Sequence, residues 1–241
     1  MGHDLATLGW LTMIRYFPDL EQGSDAWLAA RCGLLTASEM KLILTPSLKI
    51  ANNDKARSHL YELLAQRVTG HVEPHYISDD MLRGKEDEIE ARLRYAERYA
   101  SVHDMGFIIN DEWGFAIGFS PDGLVGDDGF IECKSRRQKY QMETIVECID
   151  KDAVPQEFIL QIQTGFLVSK REWCDFISYS GGMHMVTIRA YPDPVIQNAI
   201  VEAATAFECQ LAEKLEKYEA ALHSEARLLP TERRKEMEIL V

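Results

Sequence analysis

The chain has little of what usually settles a protein's class at a glance. Its five cysteines, Cys32, Cys133, Cys148, Cys174 and Cys209, are odd in number and widely spaced. They form no C-x-x-C and no Cys/His cluster with zinc spacing, which argues against a zinc ribbon and a cysteine-ligated iron–sulfur cluster. Free thiols in a reducing compartment are the expectation. No run of eighteen uncharged apolar residues is present, so no membrane partner is expected. Residues 1–10 carry Asp4 and lack a basic n-region, so the expected location is cytoplasmic. No repeat, low-complexity tract or linker divides the chain. Residues 1–241 read as one domain, and 46% hydrophobic residues are enough for a core.

Positive charge is also scarce: 26 Lys and Arg stand against 39 Asp and Glu, a formal net charge of −13. Taken alone, this speaks against a nucleic-acid partner, because phosphate binding leans on Lys and Arg. The balance is uneven, however. Residues 134–139 hold four basic residues in six, among them Arg136 and Arg137, while much of the acid lies in residues 79–90 and the C-terminal region. Such a run is either a solvated face or a local contact for a polyanion.

The periodicity predicts helices over residues 25–32 (Asp25 as N-cap), 36–44, 52–68 (closed by Gly70) and 79–100. Residues 106–134 are rich in Gly, Phe, Ile and Val and read as three or four short antiparallel strands. A helix over 156–169 follows Pro155. Strands over 173–179 and 184–189 are joined by Gly181 and Gly182. Pro194 then opens a long helix, about 194–223, whose apolar stripe from Ile196 to Leu222 is expected to pack on a sheet. This order implies an α/β (α+β) fold, a central mixed β-sheet flanked by helices.

The informative stretch is Ser120-Pro-Asp122-Gly-Leu-Val-Gly-Asp-Asp-Gly-Phe-Ile-Glu132-Cys-Lys134. Along a strand, alternate side chains share a face, so Phe130, Glu132 and Lys134 point one way, and Ile131 and Cys133 the other, the expected core side. The turn at Gly126–Gly129 folds the preceding strand back. With a two-residue loop Glu132 pairs with Gly123; with one residue more it pairs with Asp122. Two close carboxylates repel unless a proton or a cation lies between them. Oxygen-only ligation suits Mg2+, with Mn2+ as a substitute. A lysine alongside can orient or deprotonate a water, and the set matches phosphodiester hydrolysis.

At these residues the chain resembles lambda exonuclease and the phage-type alkaline exonucleases of the PD-(D/E)xK superfamily, with a restriction-endonuclease-like core. The likeness rests on ordered motifs: Trp27-x3-Arg31-x-Gly-x2-Thr36-Ala-Ser38-Glu39, Gly84-Lys-x2-Glu88, Ser120-Pro-Asp122 with Glu132-Cys-Lys134, and Gln161-Ile-Gln163. It implies that Asp122, Glu132 and the Cys133 backbone carbonyl hold the metal. It implies that Lys134 activates the water, and that Glu88 and Gln161 serve the same centre. Arg31, Ser38 and Ser120 would hold a terminal 5′-phosphate. The basic run, and not the resemblance, makes Arg136 and Arg137 candidates for further DNA contacts. Ser38 near a helix start and a bidentate Arg31 make physical sense of an anion site. Asp111 and Glu112 sit in a turn about one residue longer than the family pattern, and no role passes to them.

The activity so implied is Mg2+-dependent 5′-to-3′ digestion of double-stranded DNA with 5′-phosphorylated ends. It would release mononucleotides and leave 3′ overhangs for phage-type homologous recombination in a bacterial host. A homotrimer and a single-strand-annealing recombinase partner are implied with it. The competing readings are a restriction-like endonuclease, which would need elements that read base edges, and a DNA-binding scaffold without chemistry.

Overall fold

The computed structural model describes residues 14–73 and 78–233; the reading made for residues 1–10 lies outside them. The strands form two four-stranded mixed sheets rather than one central sheet. The first has the order β1-β3-β4-β2, from β1 (Arg15–Phe17), β2 (Leu35–Thr36), β3 (Phe107–Asn110) and β4 (Ile117–Phe119). Only its β2–β4 pair is parallel. The second has the order β5-β6-β7-β8, from β5 (Gly123–Val125), β6 (Gly129–Ser135), β7 (Trp173–Tyr179) and β8 (Val186–Ala190). Here β6 and β7 are parallel and the outer pairs antiparallel. The chain passes from one sheet to the other at Ser120-Pro121-Asp122. Pro121 has no amide hydrogen for a ladder, which helps end β4 there.

The helices are α1 (Asp25–Arg31), α2 (Met40–Ile43), α3 (Asp54–Thr69), α4 (Asp79–Arg98), α5 (Gln138–Cys148), α6 (Gln156–Ser169) and α7 (Pro194–Leu222). Local chemistry fixes their ends. Ser24, not Asp25, caps α1 by accepting the Trp27 amide hydrogen at 3.2 Å. Asn53 caps α3, and Gly70 closes it at φ 62°, a conformation that favours glycine. The helix expected over 36–44 is broken up. Leu35–Thr36 is a strand, Ala37–Glu39 a 3-10 turn, and only Met40–Ile43 is α-helical. The parallel pairing of Thr36 with Gly118 claims the first residue for the sheet.

Both faces of the second sheet are covered. Ile131, Cys133 and Ile177 pack with Ala91 and Tyr95 of α4 in a smaller core. Phe130, Cys174 and Phe176 lie on the opposite face, in the larger core with α6 and α7. The face that carries Glu132 and Lys134 is thus a core face too, which the alternation argument did not foresee. Phe130 stacks edge-on with Phe119 and with Phe166, ring centroids 5.2 and 5.1 Å apart. Gly165 lets α6 lie close: a Cβ there would fall 2.8 Å from Phe119 Cζ and 3.0 Å from Phe130 Cζ. Gln161, one turn earlier on the same face of α6, is thereby brought down onto the sheet.

The long helix α7 packs on α2, α3 and α6 rather than directly on a sheet. Its stripe is buried from Ile200 to Leu211, and Tyr218 and Leu222 run out into solvent. Among the described residues, no helix is long and apolar enough to cross a membrane.

Candidate active site

The β5–β6 register pairs Gly123 with Ile131 and Val125 with Gly129, leaving a three-residue loop, Gly126–Asp128. Continued by one residue, it sets Asp122 opposite Glu132, the second of the two registers the sequence allowed. Asp122 Oδ2 accepts the Cys133 amide hydrogen at 2.6 Å, which ties the sheet-to-sheet crossing to the middle of β6. Glu132 is 1% exposed. Its Oε1 accepts from Gln161 Nε2 and from the Lys134 ammonium, both at 2.5 Å. Its Oε2 is buried and has no hydrogen-bond partner. A lone carboxylate oxygen in that position is costly unless something cationic meets it.

The electrostatics agree. Burial pushes the Glu132 carboxyl up to about 8, with Asp122 and Glu88 adding to the shift and Lys134 opposing it. Burial and Asp122 push Glu88 up to about 7, against Arg92, Lys134 and Lys85. Burial raises Asp122 as well. Lys134 moves the other way from a simple buried amine. Burial alone would lower it, but Glu132 and Asp122 outweigh that and hold it charged. Its ammonium also lies 5.6 Å from the centroid of the Phe158 ring. Among the described residues, no three His, Cys, Asp or Glu side chains have metal-ligand spacing. Two carboxylates, a carbonyl and solvent or phosphate oxygens are what a hard cation such as Mg2+ accepts, so the orphaned Glu132 oxygen and this donor set fit one.

One cleft brings together Asp122, Glu132, Lys134 and Gln161 with Arg31, Ser38 and Ser120. The parallel β2–β4 pairing causes this, since it lays the Thr36–Glu39 turn beside the end of β4. Arg31 stacks on Trp27, its guanidinium carbon 4.6 Å from the ring centroid, and its Nη2 donates to Glu39 Oε1 at 2.8 Å. Ser120 accepts the Trp27 indole N–H at 2.9 Å and donates its own hydrogen to the Gly106 carbonyl at 2.9 Å. To donate to a phosphate, that hydroxyl must turn away from Gly106. Ser38 is exposed, and its hydroxyl lies 3.3 Å from that of Thr36. No helix dipole backs Ser38. The helix behind it is one turn long, and the Thr36 amide at its start already donates to Glu39 Oε2 at 3.2 Å.

The other expected residues stand outside this cleft. Glu88 lines a neighbouring cleft with Lys85 and Arg92, and Asp122 borders both clefts. Arg136 and Arg137 line a third, with Arg83 and Asp87. Arg136 is spent largely on protein contacts, an ion pair with Glu157 and stacking on Tyr140 and Phe158. Cys133 turns its thiol into the α4-side core, where burial first and then the carboxylates hold it protonated. Asp111 pairs with Arg15 and Glu112 with Lys170, so both are tied into salt bridges. Sequence reasoning missed Thr36 as a cleft residue and Glu39 as the ionic partner of Arg31 behind it, although both stand in the motif with Arg31 and Ser38. Trp27 is half-buried and forms a wall of the cleft.

Strand–turn–strand carboxylates with a lysine on the same face, set in mixed sheets between helices, define the restriction-endonuclease-like nuclease class. The chain belongs to the YqaJ-like viral recombinase family, whose model matches residues 26–172. It is similar to the alkaline exonuclease LHK-Exo from Laribacter hongkongensis, at 32% identity, with 83% of this chain and 100% of that one covered and a TM-score of 0.71. The same enzyme in complex with dAMP gives the same identity and coverage and a TM-score of 0.72. A phage-related exonuclease from Haemophilus somnus 129PT shares the fold at 13% identity, covering 76% of this chain and 96% of that one, with a TM-score of 0.52. No curated protein matches by sequence. Fold and family together place the chain among the exonuclease hydrolases.

Proposed function

We propose that the protein is a Mg2+-dependent exonuclease that digests double-stranded DNA from 5′-phosphorylated ends, releasing 5′-mononucleotides and leaving 3′ overhangs for recombination. The observation that carries this is Glu132 Oε2, a buried carboxylate oxygen without a partner, in the same cleft as Arg31. Asp122, Glu132 and the Cys133 carbonyl would hold the cation, and Glu88 completes the anionic lining. Bound there, the cation supplies Lewis-acid charge to the phosphoryl group and a nucleophile near neutral pH. The chain's own groups do the rest. Gln161 and Lys134 fix the Glu132 carboxylate by hydrogen bonds to one oxygen, which leaves the other for the cation. Lys134, held charged, orients the attacking water and faces the charge that develops on the phosphate. Arg31, rigid on Trp27, takes the terminal phosphate together with Ser38 and a rotated Ser120.

A metal centre alone cuts any accessible phosphodiester, so an end must be selected by something internal DNA lacks. A terminal phosphate has an additional negative charge, and a charge-assisted hydrogen bond to it is worth about 1.5–3 kcal/mol. Arg31→Ala is therefore expected to slow cleavage of 5′-phosphate ends by roughly one to two orders of magnitude while leaving 5′-hydroxyl ends nearly unchanged. The measurement is the ratio of initial rates on the two duplexes at fixed salt, with and without Mg2+. An unchanged ratio removes Arg31 from the pocket. Rapid opening of a closed circle by wild type would make the protein an endonuclease instead.

The proposal includes a homotrimeric ring, with an annealing recombinase as partner. With a net charge of −13, basic residues have to be gathered on an enclosed surface, and a closed cyclic assembly is the simple way to do that. Light scattering is expected to give three chains per particle. A strict monomer at micromolar concentration that still degrades long duplexes in one encounter would rule the ring out.

A further inference from the structure

Resting on the reading of Arg31 as the partner of the terminal phosphate, we infer that Glu39 sets how tightly this pocket holds it. Glu39 positions Arg31, and its charge keeps the 5′-mononucleotide product releasable. Arg31 is clamped on two sides. Its face lies on Trp27, and its Nη2 donates to Glu39 Oε1 at 2.8 Å and to Thr36 Oγ1 at 3.4 Å. Glu39 is itself immobilised from behind, since Oε2 accepts the Thr36 hydroxyl hydrogen at 2.6 Å and the Thr36 amide hydrogen at 3.2 Å. It cannot swing away when an anion arrives. Arg31 keeps Nε and Nη1, which make no hydrogen bond to the described residues, for a ligand.

The charge balance follows from this geometry. Glu39 cancels the charge of Arg31, and among the described residues Lys134 is the one further cationic side chain lining the cleft, against Asp122 and Glu132. The side chains alone therefore offer a terminal phosphate the right donors without a surplus of positive charge, so any surplus comes from the cation held by Asp122 and Glu132. That suits a site which must let go. After each cut the departing mononucleotide still has its 5′-phosphate in the pocket, and the newly made phosphorylated end has to replace it. A pocket with an uncompensated arginine would trap the product.

The test is calorimetric titration with dAMP, as the 5′-mononucleotide, in Mg2+ buffer. It uses wild type, Glu39→Gln, Arg31→Ala and the double variant, with deoxyadenosine as the control without phosphate. Removing one charge at this range is expected to tighten dAMP binding about tenfold in Glu39→Gln. The gain should vanish in the double variant, and deoxyadenosine binding should not move. Product inhibition by added dAMP should set in at correspondingly lower concentration. A gain in affinity cannot come from a damaged fold. If the Gln variant melts too low to assay, Glu39→Ala also removes the charge; having lost the clamp on Arg31 as well, it should gain less than Gln but still bind dAMP more tightly than wild type. Unchanged or weaker dAMP binding in the Glu39 variants, with Arg31→Ala weakened as expected, overturns the role given to Glu39. Arg31→Ala binding dAMP as well as wild type does would instead overturn the phosphate pocket itself.

Discussion

Glu132→Gln and Asp122→Asn are each expected to cut the turnover of linear duplex to below about a thousandth of wild type. Both replacements keep shape and remove charge at a site where burial already pushes both carboxyls up, and where Asp122 and Glu88 add to the shift of Glu132. The fold should not suffer. Glu132 and Glu88 have folded values of about 8 and about 7 against an ordinary 4.5. Between those limits the metal-free fold holds protons that the unfolded chain has released. Stability from these groups is therefore complete below about pH 4.5 and is lost as pH rises through 7 to 8. Metal-free wild type should melt lower at pH 8.5 than at pH 6, and Mg2+ should restore more at the higher pH. Glu132→Gln should flatten that pH slope and shrink the Mg2+ shift. A folded Glu132→Gln protein with near wild-type turnover, or with an undiminished Mg2+ shift in melting temperature, means that the cation does not sit there.

How much of this was legible in the sequence depended on what each element uses to hold itself. Gly126-Asp-Asp-Gly129 between two apolar strands announces a hairpin, and one residue of loop length decides whether Asp122 faces Glu132. The sequence left both registers open. Helix α5 went unread because its pattern is inverted. Its buried positions include Gln141 and Thr144, while Met142 and Val146 face solvent. Gln141 is satisfied by the Ser178 and His184 carbonyls and the Ser178 hydroxyl, partners more than 30 residues away that no local periodicity reveals. The three-residue strand β1 is too short to show alternation at all. Helix α2 failed in the opposite sense, because a helical pattern over 36–44 lost its start to strand pairing with β4.

The candidate site was more legible than the fold around it, since its residue types carry the chemistry. Asp122, Glu132, Lys134 and Gln161 were named from spacing and resemblance, and they converge. What a sequence could not supply was the ionic partner of each charge. Arg31 was read as a phosphate ligand, and the fold also pairs it with Glu39. Arg136 was read as a DNA contact on the strength of a basic run, and the fold also gives it Glu157 and two aromatic rings as partners. Ion pairs between residues distant in sequence are set by the fold, and they decide which charges remain for a ligand.

Lys134→Ala is expected to slow the chemical step about a hundred- to a thousandfold, with little change in the Mg2+ concentration needed. The side chain donates to Glu132 Oε1 and keeps about a quarter of its surface, on the cleft side. Held charged by Glu132 and Asp122, it acts as a donor and a positive charge rather than as a base. Its loss has two opposed effects on the cation. Less repulsion favours Mg2+, while Glu132, left with Gln161 alone, holds its proton more firmly and competes with Mg2+. These tend to cancel, so the defect should lie in the rate. The wild-type pH profile should rise as Glu88 and Glu132 lose their protons and show no fall from an amine titrating below about pH 10. Single-turnover rates at saturating DNA, measured across Mg2+ concentrations, separate the possibilities. A variant that regains the wild-type rate when given more Mg2+ would make Lys134 a support for the carboxylates rather than a partner of the reacting phosphate. Lys134→Arg, which keeps the charge but replaces a compact ammonium with a planar fork, should recover only part of the loss.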